Sequence, residues 1–324
     1  MRINYLHSKL RFYIGIWVPR VKSVWKKLFC PEPTAINEIE KIKSINVLVK
    51  RDDLNHPVIQ GNKLRKLKYN FKYFLDNDFS TIATFGGAFS NHIVASAQAS
   101  KLLNSPCIGF IRGDELENNP HKWSPTLVTA NRLGMKLFFL SRQEYRHKDN
   151  SKIYQKLASY SSEKIYVVPE GGSNSLALLG VQEIIDELEG QIKAPDYIVC
   201  ACGTGGTLAG LIDGIAQKGW RTQVIGIAVL KGAQFLTQEV VRLSQGQARV
   251  DWQIIHDYHG GGYAKTTALM KDFGHQFVTS KNIPLEKIYT LKSFYATYDL
   301  IERSYFEKGS TVVILHTGGL QGGM

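Results

Sequence analysis

A chain of 324 residues has room for about two domains. Its 44% hydrophobic, 21% charged and 11% aromatic make-up excludes disordered, collagen-like and coiled-coil architectures, and a chain this long can bury a large core. Forty Lys and Arg against 28 Asp and Glu give a formal net charge of +12, which raises nucleic acid, anionic membrane surfaces and acidic ligands as partners.

The charge is concentrated at the start of the chain. Arg2, Lys9, Arg11, Arg20, Lys22, Lys26 and Lys27 fall within residues 1–31, where no acid occurs, leaving 33 cations against 28 acids for the rest. Tyr5, Phe12, Tyr13, Trp17, Trp25 and Phe29 are interleaved with them. Residues 1–32 are therefore expected to be a dispensable basic extension, such as a leader or an unused upstream start. Contact of residues 1–31 with an anionic membrane surface is the second expectation. The longest apolar run, Phe12 to Pro19, is far short of the roughly 20 residues that span a bilayer. No small-residue cleavage site follows it, and Lys-Leu-Phe before Cys30 is unlike a lipoprotein signal. Cys30, Cys107, Cys200 and Cys202 are too few for a disulfide framework, no Cys/His group has zinc spacing, and a reducing cytoplasm is expected.

From about residue 32, short β-branched runs alternate with helical periods. The first predicted strand is Ile45–Lys50, followed by a helix over Lys63–Leu75. Strand Thr81–Phe85 leads to helix Asn91–Leu103, and strand Cys107–Ile111 to helix Ser124–Leu133. Strand Lys136–Leu140 leads to helix Ser151–Tyr160, and strand Ile165–Val168 to helix Leu176–Glu189. Strand Tyr197–Cys202 leads to helix Thr207–Gln217, and strands Gln223–Val229 and Thr311–Leu315 complete the set. Several strands are nearly continuous apolar runs, as when both faces are covered, so the fold is expected to be α/β with largely parallel open sheets and helices on both faces. Period-two alternation puts Cys200 and Cys202 on one face of their strand, as two small core residues.

Ligands of open α/β sheets sit beyond the carboxyl ends of strands, where helix N-termini aim amides at them. Four such junctions are rich in glycine or small polar residues: Gly86-Gly87-Ala88-Phe89-Ser90-Asn91, Glu170-Gly171-Gly172-Ser173-Asn174, Gly203-Thr204-Gly205-Gly206-Thr207 and His316-Thr317-Gly318-Gly319. Together they predict one shared anion-binding cleft. The loop from Gly203 to Thr207 is neither a Walker loop, lacking Gly-Lys-Ser/Thr, nor a dinucleotide fingerprint. Its amides and two hydroxyls suit a lone phosphate. In the helix that follows Gly61-Asn62, the apolar face runs through Leu64, Leu67, Phe71, Phe74 and Leu75. Lys63 falls on the edge of that inward face and Lys66 well round on the polar side. A lysine in the first helical turn, aimed inward, has its pKa lowered by burial and by the helix dipole, and becomes a nucleophile toward carbonyl groups.

A phosphate nest, an inward lysine and carboxylate-sized amide nests describe a pyridoxal-phosphate enzyme acting on an amino acid. Lys50-Arg51-Asp52-Asp53 through Gly61-Asn62-Lys63-Leu64-Arg65-Lys66-Leu67 resembles the signature of the aminocyclopropane-carboxylate deaminase and D-cysteine desulfhydrase family. Gly86-Gly87-Ala88-Phe89-Ser90-Asn91, Gly203–Thr207, Gly261-Gly262-Tyr263, Ile288-Tyr289-Thr290 and His316-Thr317-Gly318-Gly319 follow in that family's order, so the likeness spans about residues 35–322.

The resemblance implies a fold-type II, tryptophan-synthase-β-like enzyme. Residues 33–66 and 173–324 would form a large cofactor-binding domain and 67–172 a small inserted one. It implies that Lys63 carries pyridoxal 5'-phosphate as a Schiff base, that Asn91 hydrogen-bonds the cofactor's phenolic oxygen, and that Gly203, Thr204, Gly205, Gly206 and Thr207 hold its phosphate. Thr290 and Thr317 would stand on the cofactor's ring side. Amides of the helix opened by Ser90, Asn91 and His92 would grip the substrate carboxylate. Tyr263 and Tyr289 would line the substrate side, with freed Lys63 moving the α-proton and Ser90 and the two tyrosines as relays. No metal and no nucleic acid are expected; a homodimer is.

Two positions choose between substrates. Family members that open the cyclopropane ring have Glu after the tyrosine matched by Tyr289 and Leu at the position of Thr317, whereas Thr290 and Thr317 resemble the desulfhydrase branch. A hydroxyl near the ring nitrogen makes a weaker electron sink than an acid, and elimination of a good leaving group tolerates it. The expected reaction is α,β-elimination from D-cysteine to pyruvate, sulfide and ammonia, with aminocyclopropane-carboxylate deamination or ligand binding without turnover as alternatives. Leu291 replaces a usual glycine and Gly261 a frequent aromatic, so the substrate side departs from the family pattern.

Overall fold

The computed structural model describes residues 23–147, 153, 157, 164–244 and 249–320. Its strands, in chain order, are β1 (Ile36–Ile42), β2 (Ile45–Lys50), β3 (Thr81–Gly87), β4 (Cys107–Arg112) and β5 (Lys136–Leu140). They continue as β6 (Ile165–Val168), β7 (Tyr197–Cys202), β8 (Gln223–Ala228), β9 (Trp252–Ile255) and β10 (Thr311–Leu315). One sheet has the order β1-β2-β10-β7-β8-β9, the other β5-β4-β3-β6. Every pairing is parallel except β1 with β2, whose register shifts between Glu38 and Glu40. The protein is thus α/β, with one mixed and one parallel sheet covered by helices.

Alternation along each strand divides the core. In β7, Ile198, Cys200 and Cys202 pack with Leu178, Val181, Leu208 and Leu211 on one face of the larger sheet. Val199 points the other way, to Phe277, Leu291 and Phe294. Cys107 and Ile111 of β4 join Leu64, Leu67, Phe71 and Phe74, whereas Ile108 and Phe110 join Phe85 and Tyr145. Burial on both faces of these strands accounts for their unbroken apolar runs.

Elements without such a run were not expected from the sequence. β1 sets exposed Asn37, Glu38 and Lys41 between half-buried isoleucines, as befits an edge strand. β9 is a four-residue edge strand at the opposite end. The helices Phe235–Leu243, Ala268–Lys281 and Thr290–Glu302 complete the larger layer. The predicted helix Ser151–Tyr160 lies outside the described residues apart from Ile153 and Leu157.

The basic extension requires a correction. Residues 23–29 are helical, and Phe29 is 1% exposed. Val24, Trp25, Leu28 and Phe29 pack into the cluster of Phe71 and Phe74, with Phe29 5.7 Å from Phe71 between ring centroids. The indole of Trp25 donates to the Lys68 carbonyl at 3.3 Å. Trp25 and Phe29, two of the aromatics that suggested a membrane-facing stretch, instead seat this turn on the body. Residues 1–22, and the membrane-surface reading of them, lie outside the described residues. Among the described residues no helix is long and apolar enough to cross a membrane, and no group of three His, Cys, Asp or Glu is placed to hold a metal.

Candidate active site

The helix Asn62–Asp76 is packed on several sides at once. Leu64, Leu67, Phe71 and Phe74 enter the core, and Arg65 turns to the buried carboxylate of Asp52 and the half-buried one of Glu187. Lys66, expected on the polar side, is instead 1% exposed. Its Nζ donates to the Gly171 carbonyl at 3.3 Å and to Ser173 Oγ at 3.0 Å. The polar side of this helix faces another polar wall, so a lysine there turns inward.

Lys63 and Lys66 line one cavity with Ser90, Gly203, Thr204 and Thr207, closed by Tyr263 and Tyr289. Carboxyl ends of strands from both sheets converge on it: Gly87 ends β3, Arg112 ends β4 and Cys202 ends β7. Lys63 Nζ bonds Asn62 Oδ1 at 3.2 Å and lies 5.8 Å from the Tyr289 ring centroid. Burial lowers its pKa to about 8 against the opposing pull of Glu286. Burial, and the charge of Lys63, hold Lys66 well below its usual value.

The glycine loop carries the features of a phosphate cradle. Gly205 adopts φ +76° just before the helix Gly206–Lys218. A Cβ on Gly206 would stand 3.0 Å from Lys66 Nζ and 2.6 Å from Ser173 Oγ, so the lysine presses directly on the helix start. Thr204 and Ser173 share a 2.7 Å hydrogen bond, and Asn62 Nδ2 donates to Thr207 Oγ1 at 2.7 Å. Buried Lys66 and half-buried Lys63, hydrogen-bonded to neutral partners next to a helix N-terminus, make a site that an anion would suit. The residues present therefore fit a phosphate-bearing aldehyde: an anion cradle at one end and a nucleophilic amine at the other.

On the opposite wall, the helix Asn91–Leu102 begins after Ser90. Ser90 N donates to the Gly87 carbonyl and Ile93 N to that of Ser90, while the amides of Asn91 and His92 have no backbone acceptor among the described residues. His92 is buried and lines the cavity. Its Nε2 lies 2.7 Å from Thr84 Oγ1 and its Nδ1 has no partner. Burial, then Lys63 and Lys66, push its pKa well down, so it is neutral. Tyr263 and Tyr289 meet edge to face at 6.3 Å. Burial pushes the Tyr263 phenol up to about 12 and holds that of Tyr289 well above its ordinary value.

The cavity wall thus gathers Lys63, Ser90, His92, Gly203, Thr204, Gly205, Thr207, Tyr263 and Tyr289. Gly206 lies behind it, against Lys66. Asn91, Thr290 and Thr317 are not in that wall. Asn91's amide nitrogen would clash with a Cβ on Gly319, and the Thr317 carbonyl packs against Gly61. The Thr290 hydroxyl accepts from Glu286 N at 2.8 Å and approaches the Glu286 carbonyl.

Glu286 and Lys292 had no mark in the sequence beyond charge. The Glu286 carboxylate accepts from the amides of Ile288, Tyr289 and Thr290, each at 2.7 Å. It fixes the start of the helix Thr290–Glu302 and with it the Tyr289 ring. Lys292 Nζ donates to the carbonyls of Val229 and Gly262, tying that helix to the loop of Tyr263.

The sequence matches the family described as pyridoxal-phosphate dependent enzyme over residues 30–318. A Thermotoga maritima protein named as a candidate 1-aminocyclopropane-1-carboxylate deaminase is 32% identical over 90% of this chain and 95% of its own. The bifunctional D-cysteine desulfhydrase/1-aminocyclopropane-1-carboxylate deaminase of Arabidopsis thaliana is 31% identical over 85% of this chain and 72% of its own. A crystal structure of an ACC deaminase homologue superposes with a TM-score of 0.79 at 28% identity, covering 94% of this chain and 96% of the other. With the amine, the anion cradle and these likenesses in agreement, the chain belongs to the pyridoxal-phosphate dependent enzymes, on the branch shared by 1-aminocyclopropane-1-carboxylate deaminases and D-cysteine desulfhydrases.

Proposed function

We propose that the protein catalyses α,β-elimination from a small amino acid of the D-cysteine type, yielding pyruvate, sulfide and ammonia. The observation that carries this reading is one amine, Lys63, whose pKa burial lowers to about 8, in a cavity with two phenols that burial keeps protonated. Elimination needs a base at the α-carbon and a proton near the leaving group, and this set supplies both. Opening a cyclopropane by nucleophilic attack would need a phenolate, which the upward shift of Tyr289 disfavours.

Lys63 would bind the cofactor's aldehyde carbon, and Lys66 with the amides of Gly203–Thr207 would hold its phosphate. Bound there, pyridoxal phosphate supplies a sink for negative charge at the substrate α-carbon. The amides of Asn91 and His92 hold the substrate carboxylate at the helix N-terminus. Lys63, freed by the incoming amine, removes the α-proton, and the Tyr263–Tyr289 pair keeps a proton in place for the departing sulfur. Ser90 stands between carboxylate and base as a relay. Residues 67–172 would form the smaller domain, closing on a larger one built from 33–66 and 173–324, and the assembly would be a homodimer.

The test is product analysis of the purified, cofactor-loaded protein with D-cysteine, L-cysteine and 1-aminocyclopropane-1-carboxylate. Pyruvate and sulfide from D-cysteine, both lost in Lys63→Ala, support the reading. 2-Oxobutyrate from the cyclopropane amino acid without sulfide from cysteine overturns it in favour of the deaminase. Cofactor binding with no turnover overturns it in favour of a binding protein.

A further inference from the structure

Past Tyr263 the catalytic cavity opens into a second hollow, whose charged walls are Arg112, Lys122, Arg142 and Arg146 against Glu115 and Glu170. Arg112, Glu170 and Tyr263 belong to both hollows, so Arg112 stands at the passage between them. It ends β4, at the same level as the Gly87 end of β3. Its guanidinium lies over the Tyr145 ring at 5.7 Å and comes within 3.5 Å of where a Cβ on Gly87 would begin. That places it beside the loop whose next residues open the amide pair at Asn91 and His92. Among the described residues no ion pair joins Arg112 to a carboxylate, and Glu170 shares both hollows with it. An exposed guanidinium lying over a ring and lining both hollows suits a planar or tetrahedral oxyanion.

We propose that Arg112 is a specificity-determining residue that selects amino acids whose β-substituent is a second anionic group able to depart, a sulfonate leaving as sulfite or a phosphate ester leaving as phosphate in place of sulfide. The proposal rests on the lyase reading above and names the substrate class of that same site. Two anion anchors then flank the reacting carbon, the Asn91–His92 amides for the α-carboxylate and Arg112 for the distal group. The surplus of cations in the outer hollow draws such substrates inward. Cysteine leaves the second anchor unfilled.

Two measurements test this with the cofactor-loaded protein. Pyruvate release is compared for both enantiomers of O-phosphoserine and of O-acetylserine, whose leaving groups differ in charge. Binding of aspartate and of alanine is compared by calorimetry, which needs no turnover. The wild type is expected to favour the anionic member of each pair. Arg112→Met is expected to lower that preference roughly 10- to 100-fold, with Arg112→Lys recovering part of it. Added salt should weaken turnover of O-phosphoserine more than that of O-acetylserine. Equal losses on both members would assign Arg112 to the α-carboxylate or to folding and overturn the proposal, as would a wild type without preference. Absence of pyruvate from every amino acid, with aspartate still preferred over alanine through Arg112, would overturn the lyase reading and leave the selectivity standing.

Discussion

At Lys63, burial and the Glu286 carboxylate act in opposite directions, and burial prevails, leaving a pKa of about 8. At pH 7 roughly a tenth of such amines are neutral, against about one in 3,000 for an ordinary lysine. The neutral amine is the nucleophile. Capture of pyridoxal phosphate by the cofactor-free protein, followed as a growing visible band, should therefore accelerate as pH rises through about 8 and level off above. A rate that climbs only beyond pH 10 would show that burial does not tune this lysine. Glu286→Gln removes the charge that raises the amine, so the midpoint should move to lower pH. Glu286→Ala goes further and leaves three buried amides, those of Ile288, Tyr289 and Thr290, without their acceptor. A loss of roughly 3 kcal/mol in denaturant unfolding is expected, with the glutamine variant retaining part of it. Equal stability of the two variants would mean that water replaces the carboxylate.

The helix Asn62–Asp76 owes its position to charges and to a glycine. Arg65 bonds Asp52 through Nε at 3.2 Å and Nη2 at 2.9 Å, and Glu187 through Nη1 at 2.5 Å. Lys50 Nζ reaches the same Glu187 at 2.6 Å. Removing Glu187 takes away the ion-pair partner of buried Lys50 and leaves Arg65 with Asp52 and the more distant Glu183, so Glu187→Ala should cost about 3–5 kcal/mol at neutral pH. Despite its burial, the bonds from Arg65 and Lys50 hold the Glu187 carboxyl below its ordinary range. Its stabilisation is complete above the unfolded pKa of about 4.3 and is lost as pH falls through the lower folded value. An acid-unfolding curve should show that loss in the wild type and not in Glu187→Ala. At Gly180, in the neighbouring helix Ser175–Gln191, a Cβ would lie 2.0 Å from the Arg65 carbonyl. Gly180→Ala should separate the helices, lowering stability by about 1–3 kcal/mol and slowing turnover by displacing Lys63. Unchanged kinetics would show that Lys63 is positioned by its own turn alone. The strands were legible because both faces are buried, and Gly203–Thr207 because glycines and hydroxyls at a strand end have few other uses. β1 and β9 were not, since edge strands carry short or charge-broken patterns. Lys66 was misread because periodicity separates apolar from polar faces and says nothing of a polar face that meets a polar cavity. Glu286 and Lys292 stayed hidden because their partners are backbone groups, which no side-chain pattern marks.

Across the whole molecule, the +12 charge and the seated aromatic turn pull the N-terminal stretch in different directions. Seven of the cations lie within residues 1–31, yet Leu28 and Phe29 are buried and Trp25 is hydrogen-bonded to the helix that bears Lys63. Phe29 touches Phe71, two helical turns beyond Lys63, so the stretch is coupled to the element that carries the amine. Apolar burial acts whatever the ionic strength, whereas attraction to an anionic surface fades beyond a Debye length of about 8 Å in physiological salt. Phe29→Ala removes a large buried ring and should cost about 3–5 kcal/mol, lowering the melting temperature by roughly 10 °C in high and low salt alike. Neutralising Lys26 and Lys27, at exposed positions of the same turn, should leave the melting temperature within about 1 °C. The reverse pattern, a stable Phe29→Ala and a destabilised charge variant, would mean that the turn is held by its cations. A body stabilised by Phe29 also makes the end of the basic stretch part of the catalytic protein's structure, whatever residues 1–22 contribute.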